Sequence, residues 1–261
     1  MYLLFVGCEY AGTTTLLNGV VEWTRQTMGN PQPGIHDHFK WPHLNHPDIQ
    51  KKTQEEMFAN WSVGLGPDPT MTGLDAEGQQ AMLSMDVKVK EMFQRYHIEY
   101  HLREGFFESA DHFMVGLHFD EAVYAPLYLD YGHEGIYGDR QHLARIWESH
   151  LQQLSPAIVL VHVTASAEAI RQRMKDDPHP NALVKDGDVE TVLTRFQQEV
   201  EASSISRRIT IDTTQKTPLA CVAEFDAKIR SLFTQTEKLR EKTHKILETV
   251  CLLYTSPSPR D

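Results

Sequence analysis

The stretch YLLFVGCEYAGTTTLL, residues 2 to 17, constrains the fold more than any other part of the chain. Its apolar run ends at Gly7, as in a strand buried on both faces of a parallel sheet. Gly7 and Gly12 bracket four residues, and a helical pattern begins at Thr13, with Leu16, Leu17, Val20, Val21 and Trp23 at its apolar positions. Strand, glycine turn and helix start at this spacing make a phosphate-binding loop. The turn points successive backbone N–H groups inward, and the helix adds its positive end. Gly7, Gly12, Thr13, Thr14 and Thr15 are the expected phosphate contacts. Thr14 stands where a hydroxyl normally holds Mg²⁺, and Thr13 stands where a lysine normally reaches the β- and γ-phosphates. A unit charge about 4 Å from a phosphate oxygen is worth roughly 4 kcal/mol at an effective dielectric near 20. Its absence leaves binding to backbone amides open, while transfer slows by a factor of roughly 10²–10³, as for one lost preorganised donor.

Downstream, strand and helix patterns alternate. The stretch IHDHFKW reads as a second strand, and residues 42–72 as loop with one helical stretch around 54–61. LDAEGQQAMLSMDVKVKEMFQRY reads as one long helix, HIEYHL as a third strand, and residues 111–129 as a helical region with aromatic residues. RQHLARIWESHLQQL is a helix, AIVLVHV the strongest strand, and SAEAIRQRM a helix capped by Ser166 with Glu168 in its first turn. The polar loop KDDPHPNALVKDGD, the helix VETVLTRFQQEVEA, the strand RRITID and two C-terminal helices follow. Such alternation predicts a three-layer α/β domain with a parallel sheet covered by helices on both faces.

Composition narrows the function classes. The 261 residues include 25 basic and 36 acidic side chains, a net charge of −11, and no long basic run. Such a chain is poorly suited to holding nucleic acid by its phosphates. Cys8, Cys221 and Cys251 are far apart, which fits a reducing compartment rather than a disulfide framework. No apolar run reaches the roughly 18 residues that span a bilayer, and the short first run has no basic lead-in, so a cytoplasmic protein with no membrane partner is expected. The first strand begins at once, so the natural start could lie upstream. The final residues 251–261, CLLYTSPSPRD, resemble a translated sequencing adapter and break the charged helical pattern ending at Val250, so the domain is expected to span 1–250.

VLVHVTASAEAIRQRM resembles the late strand and arginine-bearing lid helix of P-loop nucleoside and nucleotide kinases, and ITIDTTQKTP resembles their last strand and loop. Thymidylate kinases and deoxynucleoside kinases are the similar families. Ala11, Gly12, Thr14 and Thr15 match their loop, which ends AGKTT or similar, and Thr13 departs from it. The resemblance implies a P-loop fold, ATP and Mg²⁺ as cofactors, a small-molecule phosphate acceptor, and a lid over about 165–188. It makes Arg171 and Arg173 the lid arginines, with Lys175 close behind. It makes Glu104 or Asp111 the carboxylate near the reacting groups, and Asp37, Trp41 and Arg103 the acceptor contacts. Sulfotransferases offer a second resemblance, since their GTT-type turn holds a phosphosulfate donor without lysine or metal. Against it, Tyr10 stands where they carry a basic residue, and VHVTAS has no arginine on the strand. A scaffold that retains the loop without transfer chemistry is a third reading. His36, His38, His43 and His46 fall close together without a cysteine, and are expected to be polar filler rather than a zinc site. Phe113, Phe119, Tyr124, Tyr128 and Tyr131 are expected to be core rather than a base-stacking box.

Overall fold

A computed structural model describes residues 1–30, 33–37, 76–108, 110–179 and 182–255. The expected helical stretch around 54–61, together with Trp41, His38, His43 and His46, lies outside them. Strand β1 (Tyr2–Val6) is central, with Leu3 to Val6 fully buried. It pairs in parallel with β3 (His112–Val115) on one side, Leu4 opposite Met114, and with β4 (Val159–Thr164) on the other, Leu4 opposite Leu160. β2 (Gly34–Asp37) and β5 (Arg208–Asp212) form the edges, giving a five-stranded parallel sheet in the order β2-β3-β1-β4-β5. From β1 the chain goes to the β2 edge, returns inward to β3, and then crosses β1 to β4 and β5, so the switch falls beside the loop that follows β1.

Helices cover the sheet in two groups. α1 (Thr13–Met28) packs on α8 (Pro218–Ile229) and α9 (Gln235–Thr255). Contact there is close: a Cβ on Gly19 would lie 2.4 Å from a Val222 methyl, and Trp23 donates its indole N–H to Asp226 at 2.7 Å. The second group contains α4 (Leu117–Tyr124), α5 (Arg140–Leu154), α6 (Ala167–Asp176) and α7 (Val189–Ala202), with α3 (Val87–His101) against α4. Sheet and two helical layers make the expected three-layer α/β P-loop fold.

Three expectations are corrected. The single helix expected over residues 74–96 is two, α2 (Ala76–Leu83) and α3, divided where the Asp86 carboxylate caps the Lys88 N–H at 2.9 Å. HIEYHL is not a strand: α3 continues through it, and Gln94, Ile98 and His101 are buried at helical spacing. No glycine or proline stops the helix before His101. The third strand is instead HFMV, expected to be helical, which the register with β1 makes extended. At the other end of the chain, α9 runs to Thr255.

Candidate functional site

The loop between β1 and α1 is shaped as its glycines demand. A Cβ on Gly7 would lie 2.2 Å from the Val163 carbonyl oxygen, so no other residue fits there without moving β4. Gly12 is left-handed (φ 94°) and stands at the N-cap of α1, where no side chain caps the first-turn amides. Those amides and the positive end of a 16-residue helix are open to an anion. The Thr13 hydroxyl oxygen is buried with no hydrogen-bond partner among the described residues, and Thr14 and Thr15 are exposed.

Tyr10 also adopts a left-handed backbone (φ 63°), which costs an aromatic residue about 1 kcal/mol or more. Three contacts hold it. Its ring stacks on His179 with centroids 4.4 Å apart, its hydroxyl accepts the His179 N–H at 2.9 Å, and its carbonyl accepts from Arg173 Nη1 at 2.8 Å. Arg173 also donates to the Thr213 carbonyl at 2.8 Å and the Thr213 hydroxyl at 3.0 Å. The guanidinium therefore ties the loop to the segment after β5, and its Nη1 lies 3.9 Å from where a Cβ on Gly12 would stand. Glu9 is half-buried: its carboxylate accepts the Val184 N–H at 2.9 Å, and its own N–H donates to the Tyr124 hydroxyl at 2.9 Å. Burial pushes the Glu9 carboxyl above its ordinary range, opposed by the Val184 and Leu183 amides.

A cavity of about 930 Å³ opens over this loop, lined by Gly7, Gly12, Thr13, Thr14 and Thr15 and by Arg173. Other expected site residues lie elsewhere. Asp111 precedes β3, so it sits at the amino ends of parallel strands, opposite the loop. It is fully buried, where burial raises its carboxyl and Arg240, the Met1 amino group and Asn30 together hold it below its ordinary value. Arg240 reaches both its oxygens, at 2.8 and 2.9 Å. Glu104 opens a short 3₁₀ turn at that same end and is exposed, and Arg103 lies over the Tyr100 ring at 4.9 Å. Arg171 faces the other way, donating to the Asp186 carbonyl at 3.2 Å and pairing with Glu190 at 2.5 Å, and Lys175 is exposed outside the cavity. Residue 37 ends β2, and Trp41 is outside the described residues.

The cavity also brings in residues that the sequence reading left out: Glu9, Tyr10, Asp120, His179 and Lys216. Asp120 follows a second glycine turn, β3 into α4, where Gly116 has φ 72° and a Cβ on it would lie 2.1 Å from the Asp120 carboxylate. The signal was VGLHFD, a strand end, a glycine and an acid four residues on; placing the third strand at HIEYHL hid it. Tyr124, expected as core, is buried and also lines the cavity, whereas Phe113, Phe119 and Tyr131 are core. Among the described residues there is no cluster of three or more His, Cys, Asp or Glu side chains that could hold a metal ion, and no helix is long and apolar enough to cross a membrane.

No protein-family model matches the chain, and no curated protein matches it. Solved structures similar to it include deoxyadenosine kinase from M. mycoides with bound dATP, at TM-score 0.49 and 10% identity, covering 88% of this chain and 100% of that one. The YorR protein from Bacillus subtilis, in complex with phosphorylated GDP, is similar at TM-score 0.48 and 10% identity over 90% and 100%. A sugar kinase from Janibacter is similar at TM-score 0.37 and 12% identity over 90% and 98%. These values add nothing to what the sheet order and loop geometry already establish.

Proposed function

We propose that the loop is a nucleoside-triphosphate site and that the protein is a kinase-like P-loop protein acting on a small-molecule acceptor. One observation carries the reading: the Gly7–Gly12 turn leaves the amino end of α1 uncapped and facing a cavity large enough for a nucleotide and a second molecule. Arg173 supports it. A guanidinium has five N–H donors, and three hydrogen bonds to the loop and Thr213 leave donors for a phosphate. It brings a fixed positive charge to the rim of the cradle, where Thr13 brings none. The Thr14 hydroxyl suits Mg²⁺, which takes one or two protein oxygens and otherwise phosphate and water; when bound, the ion would neutralise charge on the phosphates. The cofactors are then ATP and Mg²⁺, with transfer slowed by the missing lysine.

Calorimetric titration with ATP, GTP and 3′-phosphoadenosine 5′-phosphate, each with and without Mg²⁺, tests this. Mg²⁺-dependent triphosphate binding is the expected result. Tighter, metal-independent binding of the bisphosphate would replace the reading with a sulfotransferase-like one, and binding of none would leave a scaffold.

A further inference from the structure

The cavity divides by topology, because the loop follows the central strand. Towards β4 and β5 its wall carries Arg173 and Lys216 with Asp176 and Asp177. Towards β3, among the described residues, its charged side chains are Glu9 and Asp120. Tyr124 lies with these two carboxylates, and the remaining wall there is apolar, including Phe5, Met82, Leu83, Val115 and Leu129. The two acids act on one small region. Burial first, and then the charges of Glu9 and Asp120, push the Cys8 thiol well above its ordinary value; the Tyr124 hydroxyl is raised by burial first, then by Cys8, and then by Asp120 and Glu9. Cys8 and Tyr124 are each 2% exposed, so the charges act through protein rather than bulk water.

Resting on the triphosphate reading above, we infer that the acceptor is an amino alcohol: an apolar body, a hydroxyl that takes the phosphoryl group, and a protonated amine facing Glu9 and Asp120. A phosphate-bearing acceptor would bring its anion against the carboxylates of half-buried Glu9 and buried Asp120, which disfavours the wrong partner. A neutral alcohol brings no charge to the pair. In the transfer, the acceptor hydroxyl oxygen bonds to the γ-phosphorus of ATP. The bond from that phosphorus to the bridging oxygen breaks, its electron pair leaves on ADP, and the hydroxyl proton passes to solvent.

The test uses three matched probes on the full chain: phenylalaninol, the diol in which a hydroxyl replaces its amine, and that diol with a phosphate on the same carbon. Each is titrated calorimetrically at pH 7 with Mg²⁺ and the non-hydrolysable ATP analogue AMP-PNP, and AMP-PNP binding is measured alone. The amine should bind about tenfold tighter than the diol, and the phosphate ester more weakly than both. Glu9→Gln and, independently, Asp120→Asn should each reduce the amine's advantage while AMP-PNP still binds. The inference is overturned if the ester binds as tightly as the amine, if the preference survives both substitutions, or if AMP-PNP binds and none of the three probes does. Failure of AMP-PNP itself to bind overturns the underlying triphosphate reading and the acceptor assignment with it.

Discussion

At Thr13 the chain carries a buried hydroxyl, with no partner among the described residues, where a loop of this shape otherwise holds an ammonium. A lysine stem from that position has the cavity to enter. Thr13→Lys should therefore tighten ATP binding by about tenfold, the net left from a gross attraction of roughly 4 kcal/mol after desolvation; unchanged calorimetric affinity would remove the idea of a lysine-shaped vacancy. Arg173 gives a second test at this scale. Its planar fork spans Tyr10 and Thr213 at once, a geometry that a single ammonium does not reproduce. Arg173→Lys should lose nucleotide affinity nearly as fully as Arg173→Ala, with each variant also losing about 1 kcal/mol in urea unfolding as the half-buried clamp goes. Full rescue by lysine would make the residue a mere source of charge. Of these residues, the glycines and threonines were legible because spacing alone specifies them. Arg171 and Arg173 were not separable on that basis: two residues apart on a helix they face different ways, and only the fold shows which one meets the loop.

At the scale of elements, β4 carries a titration built into its core. His162 is 3% exposed, and burial alone holds its imidazole down to about 4. Its folded value lies below the ordinary 6.5, so the unfolded chain takes up a proton first as the pH falls. Stability from this group is intact above pH 6.5, is lost between 6.5 and about 4, and changes no further below that. A shift of that size corresponds to about 3 kcal/mol at most. His162→Phe should reduce the slope of urea-unfolding stability against pH across that window, where buried His112, also held down to about 4, keeps its own share, and an unchanged slope would show the imidazole to be solvated. The strand itself was the clearest in the sequence, since AIVLVHV is an uninterrupted apolar run with β-branched residues. HIEYHL misled because His97, Glu99 and His101 alternate with apolar or aromatic residues, a period-two pattern within a longer helix. β3 was missed for the complementary reason: four residues flanked by Asp111 and Gly116 offer too short a pattern, and pairing with β1 decides their conformation.

For the molecule as a whole, alternation of strands and helices was enough to give the layers, because buried parallel strands and amphipathic helices have different periods. The sequence could not give strand order, and the order is what places β3, with Asp120 on the helix after it, on one side of the loop and Arg173 and Thr213 on the other. That arrangement makes one cavity with two chemically different walls around a single helix terminus. Its central element is the cradle, and the backbone amides of Gly7 to Thr15 report on it directly. The decisive measurement is an amide ¹H–¹⁵N NMR titration of the full chain with Mg²⁺ and ATP. Saturable shifts should be largest at Gly12, Thr13 and Thr14, with smaller ones at Thr213. Saturable binding that leaves the Gly7–Thr15 amides unmoved, or no binding at millimolar ATP, would contradict a phosphate cradle at this loop.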